Sequence, residues 1–281
     1  MSKRKVAYIV LAALSAFVVA GGLAYANRGA INDWIYERSR PSVPVPVSFD
    51  EVKRGTIDDE EVAPSEVAMQ EPVLDEEASN ENEPETPSAA LAAEINLDVP
   101  FLLQAPSQNW VQPYAEACEE ASLLMVDAYY KNKGSDFTTE EGLKEILNVA
   151  AYEDTEYGHN KDTTSEEVAL TAKNYFGFRE ARIIDVTSAE EIKAVLAEGR
   201  PVIVPAYGKA LGNPNFRNGG PDYHMLVIKG YTADGYWITN DPGTRRGKGY
   251  VYSEKVLMNA LHEFFPGDMT KGEKRMIVLI P

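Results

Sequence analysis

The pattern of hydrophobic and polar positions divides the chain into three stretches. Residues 6–26 form an uncharged, almost continuously apolar run that follows a short basic cluster. Residues 28–94 show no sustained period and are rich in Pro, Glu, Ala and Val. From residue 95 onward, apolar positions recur at helical and strand spacing, which is typical of a folded domain. The pattern therefore predicts three parts, with boundaries at 1–27, 28–94 and 95–281.

The apolar run is long enough to span a membrane. Its 21 residues exceed an ordinary signal-peptide core and extend ~30 Å as a helix. The basic residues Lys3, Arg4 and Lys5 favour a cytoplasmic N-terminus. We therefore expect a single-pass anchor in the cell membrane, with the C-terminal domain outside the cytoplasm. The alternative is a signal peptide cleaved after Ala26, which would leave the domain secreted.

Charge is concentrated in the second stretch. The net charge is −17, and residues 50–98 hold sixteen acidic and two basic side chains. A segment with this composition buries too little apolar surface to fold, so residues 28–94 are predicted to form a disordered linker. The acidic balance also argues against nucleic acid as a partner, since phosphate binding needs a basic surface.

The third stretch predicts helices first and strands later. One helix begins close to Cys118, and three capping boxes open further helices, at Thr138/Glu141, Thr164/Glu167 and Ser188/Glu191. A last helix is expected at 254–264. Strands are predicted at 181–186, 201–207, 223–231, 236–240, 249–252 and 275–280. This order indicates an α+β fold, with a helical N-terminal part and a C-terminal antiparallel sheet.

Cys118, the only cysteine in the chain, is the candidate nucleophile. Ala121 and Met125 follow it at helical spacing, so its thiol is predicted to lie at the tip of an inward face. Backbone N–H groups in the first turn of a helix favour the thiolate, the reactive form. Glu119 and Glu120 would oppose it, so we expect them to point outward. The alternative interpretation is a small buried hydrophobe.

His224 is the candidate base. It opens an apolar strand, and a turn at 233–235 makes it a diagonal neighbour of Asp241 in the facing strand, at ~7–8 Å between backbones. A one-residue slip would bring Asn240 to that face instead, so both Asp241 and Asn240 remain candidates for orienting the imidazole. A thiol, a histidine and an orienting carboxylate are the parts of a nucleophilic catalytic triad.

Short motifs in a characteristic order extend along the same domain. They are Val99-Pro100-Phe101, Gln104-Ala105-Pro106, Asn109-Trp110, Cys118-Glu119-Glu120-Ala121-Ser122, Gly199-Arg200-Pro201-Val202-Ile203-Val204, Tyr223-His224, Gly230-Tyr231 and Asn240-Asp241-Pro242. With these motifs, the domain from about Asn96 resembles the peptidase C39-like family, exported relatives of the bacteriocin-processing cysteine peptidases.

The resemblance implies a papain-like fold and assigns four roles. Cys118 would be the nucleophile, His224 the base, Asp241 the orienting residue and Gln104 the oxyanion donor. The sequence departs from many members at Glu119, where they have Gly. Gln112, six residues before Cys118, is the alternative oxyanion donor, because a side-chain amide near the nucleophile can stabilise developing negative charge.

These observations predict a membrane-tethered, extracytoplasmic cysteine peptidase that acts as a monomer on a peptide or protein substrate. No cofactor or metal is expected, since the chain lacks a phosphate-binding glycine loop, a cysteine cluster and a closely spaced histidine pair. Two alternatives remain. One is an inactive papain-like module that binds peptide or cell-wall material, and the other is a thiol amidase or transpeptidase acting on peptidoglycan.

Overall fold

The structure, a computed structural model, describes Gly22, residues 28–58 and residues 92–281. The predicted anchor or signal peptide in residues 1–27 therefore lies outside the described residues, except for Gly22. Within the described ranges, no helix is both long and apolar enough to cross a membrane. A boundary between Ser42 and Val43 separates two compact units. The first contains helix α1, Arg28–Ser39.

The second unit contains the other helices and all the strands of the described chain. The helices are α2 (Phe49–Asp58), α3 (Cys118–Tyr130), α4 (Thr139–Glu156), α5 (Ser165–Asn174), α6 (Ala189–Ala197), α7 (Gly208–Leu211) and α8 (Glu254–Ala260). The strands are β1 (Ile95–Asn96), β2 (Glu180–Asp185), β3 (Val202–Tyr207), β4 (Tyr223–Tyr231), β5 (Tyr236–Asn240), β6 (Tyr250–Ser253) and β7 (Arg275–Ile280). Two short 3₁₀ turns lie at Arg217–Gly219 and Met269–Lys271.

The strands form one antiparallel sheet in the order β2-β7-β3-β4-β5-β6, with β1 added beside β4. Strand β4 lies near the centre and is buried along its whole length. Helix α3 packs against it, and eleven of the thirteen residues of α3 are buried. Mixed helices with an antiparallel sheet confirm the predicted α+β class. This packing brings the first turn of α3 next to the start of β4.

Local sequence signals explain where the helices begin. Thr138 and Thr164 each accept a hydrogen bond from the backbone N–H of the glutamate three residues on, and that glutamate bonds back to the cap. These caps satisfy N–H groups that have no partner within the helix. The predicted helix at 254–264 ends earlier, at Ala260, because Leu261 pairs with Ala206 in an isolated β-bridge.

The structure differs from the predicted linker at its N-terminal end. Residues 43–58, which fall within the predicted range 28–94, belong to the same compact unit as the folded domain. Val47 bridges to Leu97, and the Phe49 ring makes edge contacts with Tyr129 and Tyr130, with centroids 5.7 and 4.9 Å apart. Apolar side chains at a few positions thus attach a segment whose overall composition is that of a linker.

This packing predicts a stability contribution from α2. In a soluble chain that begins at Val43, Phe49→Ala should lower the free energy of unfolding by about 1–3 kcal/mol, because a half-buried aromatic side chain is lost. Urea denaturation followed by circular dichroism measures the change. Val45→Ala is the control, since Val45 is 84% exposed. Equal stability of the Phe49 variant and the unmodified chain would show that α2 does not pack in solution.

Candidate active site

The three residues of the predicted triad line or adjoin one cleft of about 500 Å³. Cys118 is the first residue of α3, and His224 is the second residue of β4. Both line the cleft, while Asp241 follows directly after β5 and lies behind His224. The other walls come from the loops that precede α3 and β4, from the first residue of β4 and from the turn after β5. Their residues are Gln104, Trp110, Glu116, Phe216, Arg217, Tyr223, Gly243 and Arg245.

The pairing of β4 with β5 positions His224 and Asp241. At the end near the cleft, Val227 lies opposite Asn240, which is the register predicted from the turn. Nearer the turn, Tyr231 lies opposite Trp237, one residue away from that register. The register shifts between Ile228 and Gly230. The extra residue restores the alignment that brings Asp241 behind His224.

His224 and Asp241 form a buried pair. The Nε2 atom of His224 is 2.8 Å from Oδ1 of Asp241, and the two side chains are 1% and 0% exposed. Since Asp241 accepts this bond, the neutral imidazole carries its proton on Nε2, and Nδ1 has a free lone pair. Asn240 has different contacts: its amide donates to the carbonyl oxygens of Val99 and Pro100.

Two further side chains hold Asp241, and sequence reasoning missed both. The Tyr252 hydroxyl donates to Oδ2 at 2.6 Å, and the Asn213 amide donates to the Tyr252 oxygen at 2.8 Å and to Oδ2 at 3.4 Å. The backbone N–H of Gly243 donates to Oδ1 at 3.0 Å. Asn213 and Tyr252 lie 28 and 11 residues from Asp241 in sequence, so no local motif indicates them.

These donors keep Asp241 ionised. Burial raises the pKa of its carboxyl group, but the charge of His224 and the hydrogen bonds from His224, Tyr252 and Gly243 outweigh that effect, and the pKa is lowered overall. A buried carboxylate that accepts several hydrogen bonds stays charged at neutral pH. Asp241 therefore has the protonation state that an orienting residue needs to stabilise an imidazolium.

Gly243 and Phe216 restrict the position of the His224 ring. A Cβ atom added at Gly243 would lie 2.9 Å from Cε1 of His224, so this position requires glycine. The Phe216 ring meets the imidazole edge to face, with centroids 5.3 Å apart. The ring is therefore limited on two sides, in addition to its bond to Asp241.

The environment of Cys118 differs from the prediction. Glu119 and Glu120 do not point outward: they are 1% and 0% exposed. The Cys118 thiol donates to Oε2 of Glu119 at 2.9 Å. Burial and the adjacent Glu119 carboxylate raise the pKa of the thiol, while a hydrogen bond from the Met225 N–H acts in the opposite direction. In a helix with eleven buried residues, the first turn has no outward face for these two side chains.

Comparison with known proteins decides the family. The profile of the peptidase C39-like family matches residues 96–265, which is more than half of the chain. The protein belongs to the peptidase C39-like family. It is a cysteine-type peptidase.

Two solved structures that resemble this C39-like peptidase are distant from it in sequence. A C39-like peptidase from Bacillus anthracis is 15% identical, with a TM-score of 0.43, over 67% of this chain and 98% of that one. A fragment of prointerpain A from Prevotella intermedia is 14% identical, with a TM-score of 0.42, over 81% of this chain and 79% of that one. A comparison with curated proteins gives no match.

The two candidate oxyanion donors of the C39-like peptidase lie in different environments. Gln104 is buried and lines the cleft, and its Nε2 donates to the carbonyl oxygens of Ala115 at 3.1 Å and Tyr114 at 3.3 Å. Gln112 is exposed and bonds to Glu116 at 3.4 Å. Gln104 is therefore the candidate that the cleft contains. Its amide must exchange a backbone carbonyl for the substrate oxygen in order to donate to it.

A cluster of buried carboxyl groups lies next to Cys118. It comprises Glu119 and Glu120 from α3 and Glu153 from α4, which is 0% exposed. Glu120 and Glu153 lie within hydrogen-bond reach of each other. Apart from that contact, both oxygens of Glu120 and one oxygen of each of the other two have no hydrogen-bond partner among the described side chains. Burial raises the pKa of Glu119 and of Glu153 to about 8, and it raises that of Glu120 as well. The cluster is therefore largely protonated at neutral pH.

Gln104 should affect turnover more than folding. A Gln104 amide that donates to the developing oxyanion predicts that Gln104→Ala lowers kcat by roughly a hundredfold. Gln112→Ala should change kcat by less than about threefold, since its side chain is exposed. Steady-state kinetics on a peptide substrate measures both variants, with thermal unfolding as the check on folding. A severe effect confined to Gln112→Ala would assign the oxyanion role to Gln112.

The carboxyl cluster should make the domain less stable as pH rises. The folded chain holds protons on Glu119, Glu120 and Glu153, while the unfolded chain releases them above its ordinary carboxyl pKa of 4.5. Stability is therefore fully present below about pH 4.5 and is lost as pH rises toward about 8. We expect Tm to be higher at pH 5 than at pH 8.5 by several degrees.

Glu153→Gln should reduce this decline, because glutamine is neutral at every pH and its amide can donate to Glu120. Scanning calorimetry between pH 5 and 8.5 measures the slope for each variant. Glu140→Gln is the matched control, since Glu140 lies exposed on the same helix. A slope that is identical in the Glu153 variant and the control would contradict the assignment of protons to the cluster.

Proposed function

We propose that this C39-like peptidase hydrolyses peptide bonds outside the cytoplasm through a Cys118-His224-Asp241 triad, while tethered to the cell membrane. The observation that carries the proposal is the buried 2.8 Å bond between His224 Nε2 and Asp241 Oδ1 beside a cleft that also holds Cys118. Such a pair aligns and polarises an imidazole for proton transfer, which is the role of the second and third members of a triad.

In the proposed reaction, the Cys118 thiol is the nucleophile and the free lone pair on His224 Nδ1 is the base. Nδ1 of His224 takes the proton of the Cys118 thiol, and Asp241 stabilises the imidazolium that forms. The thiolate attacks the carbonyl carbon of the scissile amide, and the resulting oxyanion accepts hydrogen bonds from the backbone N–H of Cys118 and the amide of Gln104. The imidazolium then gives its proton to the leaving nitrogen as the C–N bond breaks. Water, deprotonated by the imidazole, hydrolyses the thioester and releases Cys118.

One observation favours the alternative of an inactive peptide-binding module. The contact with Glu119 and the burial of the sulfur both raise the pKa of the Cys118 thiol, and a high thiol pKa opposes formation of the nucleophile. Reactivity of Cys118 therefore separates the two functions. The thiol of a peptidase is alkylated much faster in the folded protein than in the unfolded chain, whereas that of a binding module is protected by folding.

The triad predicts that reactivity of Cys118 depends on His224. In the soluble domain, His224→Ala should lower kcat/KM by on the order of a thousandfold and shift iodoacetamide labelling of Cys118 to higher pH. Asp241→Asn should lower kcat/KM by about a hundredfold, because the imidazolium loses its counter-charge while the side-chain shape is kept. Peptide cleavage and mass spectrometry of the labelled thiol provide the two measurements.

Tyr252→Phe is the graded control for this series. It removes one donor to Asp241 but leaves His224 and Cys118 intact, so we expect kcat/KM to fall by less than about tenfold. Thermal unfolding shows whether each variant is folded. Labelling that occurs only after denaturation, with no change in His224→Ala, would replace the peptidase by the binding module.

Tethering predicts the behaviour of the protein in intact cells. Its support is the basic cluster at Lys3, Arg4 and Lys5 before a 21-residue apolar run. Protease added to cells, or to spheroplasts where an outer membrane is present, should digest the predicted linker and release a stable core that begins near Asn96. Immunoblotting and N-terminal sequencing identify that core. A domain that is protected in intact cells and digested only after lysis would contradict the extracytoplasmic location.

A further inference from the structure

Glu119 contacts the reacting sulfur directly. Its Oε2 lies 2.9 Å from Sγ of Cys118, and the two residues are 1% and 6% exposed. The triad mechanism needs only His224 to exchange a proton with this sulfur, so Glu119 is a second proton-exchanging group on the nucleophile. Its other oxygen, Oε1, has no hydrogen-bond partner among the described residues. The carboxyl group therefore has the sulfur as its one polar side-chain contact in the described structure.

The groups around Glu119 favour its neutral form. Glu120 lies beside it on α3, and Glu153 faces it from α4. Asp162 acts on it from the loop before α5, and Tyr223 from β4. The charged groups with the largest effect on it, Glu153 and Asp162, are both acidic. Burial is the main cause that raises the pKa of Glu119, and these two acidic groups add to it. The hydrogen bond with Cys118 lowers the pKa, and the balance is a value of about 8, so the carboxyl group is mostly protonated at pH 7.

The two protonation states of Glu119 have opposite effects on Cys118. A neutral carboxyl group is an O–H donor, and a hydrogen bond from it to the sulfur stabilises the thiolate. An ionised carboxylate only accepts, so it holds the thiol proton and repels a thiolate 2.9 Å away. The direction of one hydrogen bond therefore determines whether the thiolate–imidazolium pair is favoured.

We propose that Glu119 is a catalytic residue that switches the nucleophile: protonated, it donates to the Cys118 thiolate and supports attack, and ionised, it accepts the thiol proton and suppresses attack. This inference rests on the proposed function, because it requires Cys118 to be the nucleophile. No proton is lost in the active state, since the thiol proton goes to His224 and Glu119 keeps its own. The enzyme is then active at acidic to neutral pH and is switched off as the solution becomes alkaline.

Glu120 offers a matched control. It is equally buried and lies next to Glu119, but its oxygens make no hydrogen bond to Cys118. It acts on the sulfur only through charge, as the weaker of the two carboxyl groups in its effect on the pKa of the thiol. A difference between Glu119→Gln and Glu120→Gln therefore reports the contact with sulfur rather than removal of a buried acid.

The test compares four forms of the soluble domain between pH 5 and pH 9.5: wild type, Glu119→Gln, Glu119→Leu and Glu120→Gln. Each is measured by kcat/KM on a peptide and by the rate of iodoacetamide labelling of Cys118. Glutamine keeps an N–H donor at every pH, so Glu119→Gln keeps its donor as the pH rises from 6 to 9, whereas wild type loses it. Relative to wild type it should gain about tenfold by pH 9, since an acid with a pKa of about 8 is ~90% ionised there.

Glu119→Leu keeps the size of the side chain but removes the donor. It should be about tenfold slower than wild type at pH 6, and this loss should disappear toward pH 9. Glu120→Gln should gain less than about threefold relative to wild type across the range. Thermal unfolding shows whether each variant is folded. If Glu119→Leu does not fold, the pH dependence of kcat/KM for Glu119→Gln relative to wild type is sufficient to test the switch.

The outcomes separate the switch from the function on which it rests. If the kcat/KM of Glu119→Gln relative to wild type stays constant from pH 6 to pH 9, and Cys118 is labelled normally, the switch is overturned. The proposed peptidase function is then unaffected. An equal gain in Glu120→Gln also overturns it, in favour of a general charge effect. A wild-type Cys118 that resists labelling and cleaves nothing at any pH overturns both the switch and the proposed function.

Discussion

The register between β4 and β5 is the constraint on which the site depends. His224 and Asp241 meet because the register predicted from the turn holds at the cleft end of the hairpin, although it fails near the turn itself. A β-bulge around Lys229 accounts for this one-residue difference in register between the two ends of the hairpin. Without the extra residue in β4, strand β5 would turn its opposite face toward His224. The amide of Asn240 would then take the place of the Asp241 carboxylate.

Contacts from outside the hairpin hold this bulge in position. Lys229 donates to Asn96 at 2.6 Å, and its carbonyl accepts from the N–H of Leu97. Gly230 lets β1 approach so closely that an added Cβ would lie 2.1 Å from the Ile95 carbonyl oxygen. The register that pairs His224 with Asp241 is therefore supported by a short strand more than a hundred residues earlier in the chain. Because the hairpin sequence does not contain that partner, the bulge was not predictable from the hairpin alone.

The parts of the fold that were predictable are those governed by short-range rules. The capping boxes at Thr138 and Thr164 specify two helix starts, and short apolar runs rich in β-branched residues predict the central strands. The prediction was incomplete where distant packing decides the outcome. The partners of Asp241, the attachment of residues 43–58 and the inward position of Glu119 each depend on a surface that another part of the chain supplies.

The first turn of α3 shows why a rule based on local sequence can predict the wrong protonation state for an acidic side chain. Acidic residues near a helix N-terminus are ordinarily stabilising, by about 0.3–1 kcal/mol, when they are exposed. Burying a carboxylate costs several kcal/mol, which is more than the stabilisation that the helix dipole provides. Glu119 and Glu120 therefore take up protons and become neutral. The same helix end that favours a thiolate at Cys118 therefore adjoins two neutral acids. Asp241, equally buried but surrounded by donors, stays ionised. The positions of the hydrogen-bond donors therefore decide which carboxyl groups in this site are charged and which are neutral. Such a difference in protonation state allows two carboxyl groups in one site to have distinct acid and base roles.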